Sequence, residues 1–68
     1  MTLAQLVRNG RHACDLTQHR LAQRLRVDDE YIERLERGEW RPSKHLVWRL
    51  ADALRMKRNI LLGADDYD

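Results

Sequence analysis

The chain has 68 residues, enough for one small domain with a marginal core and too few for two. Thirteen Lys and Arg against eleven Asp and Glu leave a formal charge of +2, which permits a nucleic-acid partner without requiring one. The longest uninterrupted aliphatic stretch is Ile60 to Leu62, too short to span a bilayer, and the lone Cys14 cannot close an internal disulfide, so membrane insertion is excluded and a reducing, cytoplasmic setting is expected.

Helical spacing runs through the whole chain, and nowhere do β-branched or aromatic residues alternate over the length of a strand. The first helix starts at Thr2, with Gln5 three residues on in the pattern of a capping box, and turns Leu3, Leu6, Val7, Gly10 and Ala13 inward before closing at Cys14 to Leu16. Thr17 caps a short second helix that buries Leu21, Ala22 and Leu25 and leaves Gln18, His19, Gln23 and Arg24 outside. Arg26 and Val27 form a turn. Asp28 is placed to cap a third helix, with Asp29 and Glu30 in the first turn where acids suit the helix dipole, Ile32 and Leu35 inward, and Gly38 at the stop. Residues 39 to 42 read as a loop. Pro42 and the capping Ser43 begin a fourth helix with Val47, Leu50, Ala51 and Leu54 at core spacing. A fifth, short helix follows around Met56, Leu61 and Leu62, with no obvious side-chain cap. The expectation is an all-α, five-helix bundle spanning residues 1–63, followed by a disordered acidic tail at 64–68.

Two short helices joined by a tight turn, at about residues 17–37, have the dimensions of a helix-turn-helix. The run LTQHRLAQRLRVDDEYIERLERGEWRPS, followed by LADAL, resembles the phage repressor and Cro-like helix-turn-helix DNA-binding domains. Several independent features agree over roughly residues 3 to 62: LTQ opening the second helix, LA soon after, YI in the third, LE-x-G at its end and P-S before the fourth. The resemblance implies a lambda-repressor-like fold. It also implies that Gln18 binds a backbone phosphate and braces the recognition helix, that Asp28, Asp29, Glu30 and Arg34 hold the major-groove positions, and that Arg11 and Glu36 form a largely buried ion pair. Arg26 and Arg55 stand where the family often has glycine in a left-handed backbone, and Arg58 replaces a commonly apolar residue.

The charge is blocked along the chain, +4 over residues 1–26, −4 over 27–39, +5 over 40–58 and −3 beyond, and the negative block is the third helix. DNA carries about one negative charge per 1.7 Å of axis, which opposes such a helix in the groove. Flanking cations offset this, with Arg20, Arg24, Arg26, Arg37, Arg41 and Lys44 available to flank the motif, all but Arg20 assigned as phosphate contacts, and Tyr31 as a further one through its hydroxyl. Acids accept from cytosine N4 and so select C·G pairs, while Arg34 suits guanine. Each residue also has a plain reading: the acids start a helix, Glu30 with Arg34 and Glu33 with Arg37 are i,i+4 pairs, and Tyr31, Trp40 and Trp48 pack.

His12, His19, His45 and Cys14 show no metal-ligand spacing, and there is no Gly-rich phosphate loop or nucleophile motif. The expected protein is therefore neither an enzyme nor a metal or cofactor binder. It is a transcription regulator that reads palindromic double-stranded DNA as a homodimer joined through Ile60, Leu61 and Leu62, with Trp48 beside them. The alternative is a protein-interaction module of the same fold, an antitoxin or regulator partner, that docks its acidic third helix on a basic protein.

Overall fold

In the computed structural model, which describes residues 1–67, five helices follow one another with no strand among the described residues: α1 Leu3–Ala13, α2 Gln18–Leu25, α3 Asp29–Glu36, α4 Lys44–Leu54 and α5 Arg58–Leu62. Their starts are set chemically. The Thr2 hydroxyl accepts from the Gln5 amide at 3.2 Å while Gln5 Oε1 accepts from the Thr2 amide at 3.0 Å, and Thr17 and Ser43 accept from Arg20 and Leu46 in the same way. Asp28 holds the cap position of α3, but its carboxylate makes no cap hydrogen bond; it favours the helix through charge alone.

The ends are set by backbone handedness. Gly38 stops α3 at φ 76°. Arg26 and Arg55 end α2 and α4 at φ 59° and 56°, the left-handed conformation kept without glycine. There the amides of Val27 and Met56 reach back to the carbonyls of Ala22 and Ala51, at 3.0 and 2.8 Å, and satisfy acceptors that the helix ends leave open.

The core is one cluster, with Val7, Leu21, Leu25, Ile32, Leu35, Val47, Leu50 and Leu61 almost wholly enclosed. α1 packs on α3, α4 and α5, and α2 packs on α3 and α4. Gly10 lets α1 approach the α4–α5 link: a Cβ there would stand 2.8 Å from Met56 Sδ. Ala13, expected to face inward, is exposed at the last position of α1.

The end of the chain differs from the disordered tail expected. Ala64 is buried and Tyr67 packs on the core. The Leu3 amide donates to Asp66 Oδ1 at 2.8 Å, so Asp66 supplies the acid that the first turn of α1 lacks. Asp65 pairs with the Met1 ammonium at 2.8 Å. Asp68, the last residue of the expected tail, lies outside the described residues. No helix among the described residues is long and apolar enough to cross a membrane.

Candidate nucleic-acid interface

Leu21 and Leu25 of α2 and Ile32 and Leu35 of α3 bury against the shared core, which fixes the two short helices across the left-handed turn at Arg26. α3 is thereby left with one face inward and the other, carrying Asp29, Glu30 and Arg34, exposed, and Arg37 just past its end is exposed as well. The exposed acids are largely matched by cations. Glu30 pairs with Arg34 at 2.7 Å and Glu33 with Arg37 at 3.4 Å, each one helical turn apart. Asp29 meets His19 Nδ1 across the two helices, with both carboxylate oxygens at 2.9 Å.

The inner end of α3 is tied down by Glu36, whose carboxylate is buried. Arg11 reaches it with two parallel bonds, Nε to Oε2 at 2.7 Å and Nη2 to Oε1 at 3.0 Å, and spends Nη1 on the Leu16 carbonyl at 2.9 Å. Gln18 Nε2 adds a bond to Oε1 at 3.2 Å, and Arg8 donates to the Glu36 carbonyl at 2.8 Å. Burial works to raise the Glu36 pKa, but the bonds from Arg11 and Gln18 and the charges of Arg11 and Arg8 outweigh it and hold the carboxyl below the usual range.

Gln18 thus has its side chain against the end of α3 while standing as the first residue of α2. Arg24 and Arg26 are exposed; Arg24 donates to the Ala53 carbonyl at 3.4 Å, and Arg26 has no ion pair among the described residues. Arg41 is fastened to the Asp66 carbonyl at 2.7 Å, and Lys44 lies 5.8 Å from the Trp48 ring centre. An open groove of about 580 Å³ runs beside α3, lined by Arg26, Val27, Asp28, Glu30, Tyr31, Arg34 and Trp40.

Two expectations are corrected. The Tyr31 hydroxyl is buried without a hydrogen-bond partner and its ring packs edge-on against Trp40, with centroids 3.9 Å apart, so it presents nothing to a phosphate. Burial pushes its pKa up to about 12, with Arg49 opposing. Leu61 is fully enclosed in the core of the single chain, so it is unavailable to a partner; of the expected dimer surface, Ile60 is exposed and Leu62 partly so. Leu61 lies inward because α5, one and a half turns long, has one residue facing α1 and α4, and that residue is Leu61. Arg58, in the first position of α5, is accommodated by stacking 4.9 Å from the Trp48 ring centre and pairing with Asp52 at 3.4 Å.

Helical spacing puts His19 on the outer face of α2 but gives no sign of its contact with Asp29, nor of the Arg8 bond to the Glu36 carbonyl. His19 is the second residue of α2 and Asp29 the first of α3, a juxtaposition that only the crossing of the two helices produces.

Fold and site together define a helix-turn-helix protein with an exposed second helix. A family model described as helix-turn-helix domain matches residues 2–59, and the chain belongs to that family. Three solved structures illustrate the likeness. The restriction-modification controller protein C.AhdI from Aeromonas hydrophila is 32% identical with a TM-score of 0.81, over 87% of this chain and 89% of that one. The clp gene regulator ClgR from C. glutamicum is 30% identical with a TM-score of 0.80, over 88% and 78%. The DNA-binding domain of the P22 c2 repressor shares the fold at 24% identity and a TM-score of 0.87, over 100% and 88%. No curated protein matches the sequence. Family and fold are those of DNA-binding transcription regulators.

Proposed function

We propose that the protein is a sequence-specific transcription regulator that binds a palindromic operator as a homodimer in the cytoplasm. The observation that carries this reading is the exposed α3, held at its inner end by Glu36, together with the exposed Arg20 on α2, Arg26 in the turn and Lys44 at the start of α4, none of which has an ion pair among the described residues. These cations, with Arg24, Arg37 and Arg41, provide phosphate contacts on either side of the groove, and the second amide hydrogen of Gln18 provides another. Asp28, Asp29 and Glu30 accept from cytosine N4, and Arg34 reaches guanine by giving up its exposed pair with Glu30, a loss of about 0.3–0.5 kcal/mol.

Two copies with their recognition helices about 34 Å apart read the two half-sites. Ile60 and Leu62, with Trp48 on the adjoining α4, are the apolar residues offered to the second copy. Titration of a labelled operator duplex at rising salt tests the DNA contact. If six to ten phosphates are neutralised, binding weakens by about 10³–10⁵ between about 50 and 200 mM; a curve indifferent to salt contradicts it. Sedimentation of Ile60→Asp beside the parent tests the dimer, with a monomer expected for the variant and an unchanged dimer contradicting the assignment.

A second reading, docking of α3 on a basic protein, is favoured by the acids and by the partly exposed Trp40 that line one open groove.

A further inference from the structure

Among the acids of α3, Asp29 is matched by a group whose charge is conditional. His19 stands in the first turn of α2 with its side chain 61% exposed, and Nδ1 lies 2.9 Å from both oxygens of Asp29, so the hydrogen at that nitrogen is directed to the carboxylate. Nε2 makes no hydrogen bond among the described residues. In a neutral ring with its hydrogen on Nδ1, Nε2 is a bare acceptor and repels a phosphate oxygen. In the doubly protonated ring it is a charged donor. His19 is adjacent to Gln18, which the DNA reading already places at a phosphate.

We propose that His19 is a DNA contact of this helix-turn-helix, donating from Nε2 to a backbone phosphate only when doubly protonated while Asp29 holds Nδ1, so that operator binding takes up a proton. The inference rests on the DNA reading. The same event neutralises Asp29 as the helix enters the groove, which removes one of the charges that phosphate repels. The charged residues within a helical turn of the pair in sequence are Asp15 and Arg20 around His19, and Arg26, Asp28, Glu30 and Glu33 around Asp29. Glu30 and Glu33 are engaged by Arg34 and Arg37. α4 also packs on α2, and its Arg49 is committed to the Leu25 carbonyl at the far end of that helix. Glu36 is committed to Arg11.

The test is the Kd for a labelled duplex between pH 5.5 and 8 at constant ionic strength, for the parent, His19→Gln, His19→Lys and a His12→Gln/His45→Gln control, with folding checked by circular dichroism at each pH. For the parent, Kd rises with pH by up to about tenfold per unit for each protomer. The control keeps that slope, His19→Gln loses it, and His19→Lys binds more tightly than the parent at pH 7.5. The proposal is overturned if His19→Gln keeps the slope, or if the parent binds DNA with no pH dependence, in which case the DNA reading survives. If the parent binds no duplex at any pH, both readings fall.

Discussion

Glu36, at the end of α3, and Arg11, on α1, lock together through two parallel hydrogen bonds of 2.7 and 3.0 Å. The carboxylate is buried and the guanidinium nearly so, at 1% and 11% side-chain exposure. The pair sets where α3 ends relative to α1, and hence how its outer face is presented.

Arg11→Ala leaves a buried carboxylate with only Gln18 and Arg8 near it. A loss of about 3–5 kcal/mol is expected in urea unfolding. Replacing both partners, as Arg11→Met with Glu36→Leu, costs far less than the single change.

The lowered Glu36 pKa fixes a pH window. In the unfolded chain this carboxyl titrates near its ordinary value, about 4.3. The stabilisation is therefore complete above that value and disappears as pH falls through the lower folded value. Thermal melts should show Tm falling below about pH 5, with a shallower fall in Glu36→Gln, which is less stable than the parent above that pH and approaches it as the pH falls.

Tyr31 gives the opposite edge. Its hydroxyl is buried and unpartnered, and its pKa of about 12 exceeds the ordinary 10.0, so between these values the unfolded chain loses the proton first and stability falls as pH rises. Tyr31→Phe removes an unsatisfied group. It should be neutral or stabilising by up to about 1 kcal/mol at pH 7, and its melts should not show the alkaline loss.

Arg55 ends α4 in the left-handed region, where a side chain costs up to about 1 kcal/mol relative to glycine. Arg55→Gly is expected to raise Tm, and a lowered Tm would mean that the arginine side chain has a stabilising contact outweighing this strain.

Much of this architecture is legible in the sequence because it is local. Thr2, Thr17, Ser43 and Gly38 act within a turn of themselves, and the apolar spacing identifies the inward residues of α2, α3 and α4. What escapes is set by contacts between distant segments. Asp66 on the first turn of α1, Asp29 against His19 and the enclosure of Leu61 depend on how helices cross. The Tyr31 hydroxyl escaped for the same reason: spacing places the ring on the flank of α3, but only the packed Trp40 loop shows which end is covered.

Charge reversal separates the two readings of α3. If it enters DNA, Asp29→Lys with Glu30→Lys raises non-specific DNA affinity and changes sequence preference. Loss of a protein partner with DNA binding unchanged supports the docking reading instead.

The most direct test is selection from a random duplex library at moderate salt, with Arg34→Ala and Gln18→Ala alongside. A palindromic motif containing C·G pairs is expected, with Arg34→Ala relaxing preference at one position of each half-site and Gln18→Ala weakening all sequences alike. Failure of the intact dimer to enrich any motif would contradict the assignment of α3 as a DNA-reading helix.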